Sequence, residues 1–199
     1  MAKEILNKIL KSALAGLLIA LAGIIYLQCE NKIVGAFLFS VGLLAIFILD
    51  ANLFTGKIGY VNSKQKTLDC LFILVVNLVI AFLIGLLYRL YKGEVSTAFD
   101  SRMNKQWYQL LLDGIGCGAL IYIACESYAK MKSVIVPIIC VAGFILAGFE
   151  HSIADAFYFG ASTLSWNGLL YLLIVIIGNA IGSLTIRLLQ IGVTKVVKK

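Results

Sequence analysis

The chain has 199 residues, of which 61% are hydrophobic and 14% charged, with a formal net charge of +7 and a mean hydropathy of +0.99. Soluble domains carry roughly a quarter charged residues, so the composition excludes a soluble globule and expects a lipid bilayer around the chain. In that setting an excess of Lys and Arg marks cytoplasmic segments, and no nucleic-acid partner is inferred.

A spanning helix needs about 20 mostly apolar residues, and six runs approach that length. The first extends from Ser12 to Cys29, the second from Ile33 to Leu49 and the third from Cys70 to Tyr88. The fourth, Gln106 to Cys125, is interrupted by Asp113; the fifth starts at Ser133 and meets the ionisable stretch "GFEHSIADAF"; the sixth occupies about Leu169 to Arg187. Six crossings place both termini on one side. If that side is the cytoplasm, twelve Lys and Arg are inner and only five (Lys32, Arg89, Lys92, Arg102 and Lys105) are outer. The pattern predicts a multi-pass protein of the cell inner (plasma) membrane with cytoplasmic termini.

The opening "MAKEILNKILK" is basic, like the start of a signal peptide. The apolar stretch after it is of full spanning length, without a convincing small-residue cleavage site before Glu30, so it reads as the first span. The five cysteines, Cys29, Cys70, Cys117, Cys125 and Cys140, lie in or at the ends of the runs with no CxxC spacing. They read as packing residues, and neither metal nor cofactor is expected.

Two connecting regions are long and semi-apolar: "DANLFTGKIGYVNSKQKT" after the second run and "GFEHSIADAFYFGASTLSWNG" within the fifth. They occupy corresponding places in two halves of three runs, approximately residues 12–91 and 106–192 of a single 1–199 transmembrane domain. Asn77 in "VVNLVIAFLIGLLYRL" and Asn179 in "IIGNAIGSLTIRLLQI" match, each followed by a pair of leucines. Three spans per half invert the second copy, and inverted repeats with interrupted helices point to a transport site near the bilayer midplane. Freed backbone groups at such breaks are tolerated only where protein or water supplies partners.

His151, the lone histidine, is the first candidate for chemistry, because ionisable groups within spans are costly and usually functional. It reads as a proton donor to a weak-acid anion or as a neutral histidine bridging helices. Glu150 points about 100° away around a helix and is assigned to freed backbone N–H groups of the other break. Asp155 shares the His151 face, which suits an anion path only if it is protonated or turned outward. Thr55 offers a hydroxyl to an anion, or caps a turn. Phe39, Leu43, Leu53, Phe54 and Phe144 read as ordinary packing residues or apolar constrictions, while Arg102 and Lys105 read as anion-gathering or as interfacial anchors.

Taken together, "NLFTG", "GIGCGALIYIACESYAK", "GFEHSIADAFY" and "IIGNAIGS" resemble the formate/nitrite transporter family, in order and across essentially the whole membrane domain. The resemblance implies an all-α, aquaporin-like fold of six transmembrane helices, the second and fifth broken, assembled as a homopentamer with a pore in every subunit. It implies small monovalent anions as cargo, formate or nitrite first and hydrosulfide next. By motif, His151 becomes the central histidine, Thr55 the threonine facing it and Glu150 the structural glutamate; Phe39, Leu43, Leu53 and Phe144 become constrictions, and Arg102 stands where the family has a vestibule lysine. Two departures are visible. Gly118 replaces an Asn expected to face the histidine, which would widen the pore or admit a water, and Asp155 replaces an Asn, which would tune proton chemistry. The alternatives are an intramembrane hydrolase using Glu150 and His151, although no HExxH or GxSxG occurs, a channel fold serving another small solute, and a purely structural membrane protein.

Overall fold

The computed structural model describes residues 2–93, Phe99, Arg102 and 104–197. Half of the loop "YKGEVSTAFDSRMNKQ", and Lys198 and Lys199 of the charge count, lie outside them. The described residues form helices and no strand. In chain order these are α1 (Ala2–Gln28), α2 (Lys32–Ile48), α3 (Phe54–Lys57) with a 3₁₀ turn (Ile58–Tyr60), α4 (Lys64–Lys92), α5 (Trp107–Met131), α6 (Ile135–Leu146), α7 (Ser152–Ala161) and α8 (Trp166–Val197). Four of them, α1, α4, α5 and α8, are long and apolar enough to cross a membrane.

Local chemistry sets several ends. Asn31 Oδ1 accepts the Ile33 and Val34 N–H groups and starts α2, and Ser63 caps Lys66 at the start of α4. Gln106 and Gln109 close a reciprocal capping box on α5. The second and fifth runs of the sequence do not continue as single helices: α2 stops at Ile48 and α3 begins at Phe54, while α6 stops at Leu146 and α7 begins at Ser152.

The long helices pack as two parallel pairs. Lys8 reaches Asp69 near one end of α1 and α4, and Gln28 donates to Tyr88 near the other. In the second pair Asn179 of α8 meets Gly114 of α5, and Tyr122 donates to Gln190 further along. The α5–α8 approach is backbone on backbone: a Cβ on Gly118 would lie 2.1 Å from the Asn179 carbonyl oxygen, and one on Gly182 2.0 Å from that of Ile115. Gly16 plays the same part in the first pair, facing the Asn77 carbonyl oxygen. The expectation that Gly118 widens the pore is thereby corrected. Its missing side chain points at α8, and what glycine provides there is close helix contact.

Candidate functional site

The two interruptions are built alike, almost bond for bond. In the first, Leu49 N–H donates to Ala45 and Ala51 N–H to Ile46; in the second, Ala147 N–H donates to Gly143 and Phe149 N–H to Phe144. Each chain then turns through a left-handed residue, Asp50 (φ 49°) and Gly148 (φ 73°). Asn52 N–H reaches the Lys11 carbonyl, and Glu150 N–H the Asp113 carbonyl.

Each break is braced by one buried asparagine. Asn77 Oδ1 accepts the Phe54 N–H at 2.9 Å while its amide donates to the Ser12 and Asn52 carbonyls. Asn179 Oδ1 accepts the Ser152 N–H at 2.9 Å while its amide donates to the Gly114 and Glu150 carbonyls. In both braces the helix carbonyl lies 65 residues before the asparagine. An amide suits this task because it donates and accepts at once, whereas a carboxylate only accepts.

That division of labour corrects the expectation for Glu150. Its backbone carbonyl joins the Asn179 brace, but its side chain takes no N–H of the first break. Buried at 3% exposure, the carboxylate pairs with Lys105 Nζ at 2.8 Å and with Arg102 Nε at 3.4 Å, as a charge withdrawn from water must.

Between the breaks, Thr55 Oγ1 and His151 Nε2 lie 2.9 Å apart, both side chains buried. His151 also caps α7, its Nδ1 accepting the Ala154 N–H at 3.2 Å. A nitrogen that accepts is bare, so the neutral ring carries its proton on Nε2 and donates it to Thr55. The threonine hydroxyl hydrogen is then left to donate elsewhere. Phe144 stacks on the imidazole (centroids 6.0 Å, planes 20° apart) and meets Phe39 edge-on at 6.3 Å.

Two cavities are lined by residues around this pair. One, of about 440 Å³, is lined by Leu43, Leu53, Asp50, Lys57, Tyr128 and Lys132 among others. The other, of about 250 Å³, is lined by Phe39, Phe144, His151, Arg102, Glu150 and Asp155 among others. Leu43 and Leu53 thus line the first, and Phe39 and Phe144 line the second together with His151 itself. Phe54, expected with them, lines neither cavity. It opens α3, hands its N–H to Asn77 and buries its ring in the core.

The second cavity holds a charge cluster that sequence reading resolved only in part. Arg102 Nη1 lies 3.3 Å from Asp155 Oδ1, and its guanidinium covers the Tyr158 ring at 4.6 Å. Lys105 binds Asp113 at 2.7 Å and the Gly148 carbonyl at 3.1 Å besides Glu150. Both cations are therefore paired, and Asp155 faces Arg102 within the cavity. Lys105 as the partner of Glu150, and Asp113 as the second acid on that lysine, were missed; the signal available was the single acid interrupting the fourth run.

The first cavity's rim is simpler. Lys11 pairs with Asp50 at an exposed turn and holds that carboxyl below the usual carboxylate range.

Comparison with known proteins places this arrangement. The sequence model of the formate/nitrite transporter family matches residues 1–191. The Escherichia coli (strain K12) formate channel FocA is 27% identical over 181 aligned residues, covering 72% of this chain and 61% of FocA; the chain thus spans less than two thirds of the curated relatives it matches. The FocA sequences of two further E. coli strains match equally. Among solved structures, a pentameric formate channel with formate bound superposes with a TM-score of 0.82 at 19% identity, covering 99% of both chains. An FNT family ion channel superposes at 0.69 with 22% identity, covering 90% of this chain and 84% of that one.

Proposed function

We propose, from the premise that this integral membrane chain belongs to the formate/nitrite transporter family, that it is a channel for small monovalent weak-acid anions. The observation that carries the reading is the buried Thr55–His151 pair, whose histidine lines one cavity with Phe39 and Phe144 while Leu53 and Gly56, flanking the threonine's turn, line another. Formate and nitrite rank first and hydrosulfide next, in keeping with the formate channels among the relatives.

On this reading α2 with α3, and α6 with α7, each make one interrupted span. That gives six crossings in two inverted halves, with both termini in the cytoplasm of an inner membrane. The matched asparagine braces support the repeat. Five copies assemble with a pore in each, by analogy with the pentameric structural relative.

An anion entering the second cavity passes Phe39 and Phe144, which strip its water. It is met by the Thr55 hydroxyl, whose hydrogen is turned toward it because the oxygen accepts the His151 N–H, near the positive end of α7. It leaves past Leu53 and Leu43. A bare ion in a low-dielectric passage costs several kcal/mol, so the protonated acid crosses more readily and flux rises as pH falls. A second proton on His151 would sit on Nδ1 against the Ala154 N–H and cost α7 its cap. His151 therefore acts here as a neutral donor, and the proton reaches the anion from another source.

The test is flux in proteoliposomes of formate, nitrite, hydrosulfide and chloride at acid and neutral pH. One or more weak-acid anions should pass faster in acid, chloride should lag, and His151→Ala and Thr55→Val should each abolish the selective flux. Equal passage of chloride, or flux indifferent to both substitutions, would overturn the reading.

A further inference from the structure

Among the described residues, the charge cluster in the second cavity does not balance. Asp113, Glu150 and Asp155 supply three acids to two cations, Arg102 and Lys105. Glu150 has both oxygens engaged, one on each cation, whereas Asp155 has one oxygen on Arg102 and the other, Oδ2, buried without a hydrogen-bond partner. The Asp155 side chain is 1% exposed and lines the cavity. The other titratable groups around it do not offer a missing cation: Cys117 on α5, Tyr171 on α8, Tyr158 on its own helix and the neutral His151 at the cap of that helix. An unpaired buried carboxylate oxygen costs far more than one carrying hydrogen.

We propose that Asp155 and Glu150, gripped by the one Arg102 guanidinium, share a single proton, making the second cavity a resident proton-binding site separate from His151. The proton comes from the solution on that side and bonds to Asp155 Oδ2, which becomes an O–H donor beside the Glu150 carboxylate. With it bound, three acids and two cations sum to zero charge; without it the cavity is net negative and repels an incoming anion. The proton site stands on the geometry alone, while its effect on flux rests on the anion-channel reading.

Infrared difference spectroscopy on the purified protein reads the site without any transport. Wild type should show the carbonyl stretch of a buried carboxylic acid, titrating as a single group, and both Asp155→Asn and Glu150→Gln should lose it. No such band in wild type, or a band surviving in both variants, overturns the proposal. Flux reads the consequence: Asp155→Asn and wild type should coincide where the band is present and diverge where it has titrated away, with the variant carrying several-fold more anion. A common pH profile for the two overturns the cavity's role. Loss of the band in both variants without flux of any anion upholds the proton site and removes the anion-channel reading instead.

Discussion

The break that carries Thr55 and the break that carries His151 share a backbone and differ in side chains. Both end a helix on the same pair of hydrogen bonds, turn through a left-handed residue and hand the next helix to a buried asparagine. At equivalent places the first has Asp50, Asn52 and Leu53 where the second has Gly148, Glu150 and His151. Leu53 and His151 both stand in extended conformation at the cap, but only the histidine supplies a side-chain acceptor. The duplicated part is scaffold, which must satisfy backbone groups the bilayer will not hydrogen-bond. The unduplicated part is chemistry, concentrated on one side of the Thr55–His151 pair.

The largest effect should come from the shared element. Asn179→Ala strands the Ser152 N–H and two carbonyls, and Asn77→Ala strands the Phe54 N–H and two carbonyls. At about 1–3 kcal/mol for each unsatisfied buried group, either substitution costs about 3–9 kcal/mol. Both should therefore fail to give folded protein in detergent, measured by size exclusion and thermal unfolding. If one variant folds normally and the other does not, the two braces are not equivalent.

At the caps the halves should separate. His151→Leu copies the first break into the second. It costs only the Ala154 cap, about 1 kcal/mol, so the protein should stay folded while flux falls by an order of magnitude or more, as losing a donor to a charged group implies (about 1.5–3 kcal/mol). Leu53→Met, which keeps an apolar side chain of similar volume, should change stability by less than about 1.5 kcal/mol and leave selectivity intact. Comparable flux loss in the two variants would mean that the histidine acts by shape rather than as a donor.

How much of this was legible in sequence follows the same division. The matched Asn77 and Asn179 and the two interrupted runs could be read because each leaves a motif, an amide in an apolar run or polar groups in oil; the pairing of Thr55 with His151 came only from the family resemblance. The partners of Glu150 could not. Reading angles around one helix gives the direction of Glu150 away from His151 but not that the chain ahead of α5 brings Arg102 and Lys105 to it. Gly118 misled for a related reason. A substitution judged by what it removes from the pore gives no sign that its Cβ direction faces another helix 2.1 Å from a carbonyl. Long-range packing, unlike hydrophobic periodicity, has no local signature.

The left-handed turns give a finer contrast. Gly148→Ala forces a Cβ into a conformation that L residues adopt at about 1–2 kcal/mol, and should lower thermal stability by about that much. The space around it is open, so backbone preference alone is at work. Asp50 already bears that cost, tempered because short polar residues tolerate the region. Asp50→Gly should relieve it and lose the Lys11 pair, leaving stability nearly unchanged.

The smallest effect belongs to that surface pair. Lys11, by hydrogen bond and charge, holds the Asp50 carboxyl below its ordinary value. A carboxylate depressed in the folded state contributes stability above the unfolded value, about 3.9, and loses it as pH falls through the lower folded value. Because the Asp50 side chain is 78% exposed, screening reduces the contribution to a few tenths of a kcal/mol. Asp50→Asn should therefore shift unfolding slightly at neutral pH and not at all once acid has protonated Asp50 in wild type. The same titration followed in the Asp155→Asn background should leave the Asp50 effect unchanged, because the pairs lie at different cavities and share no partner. A non-additive result would mean that the two breaks, alike in backbone, are also coupled in charge.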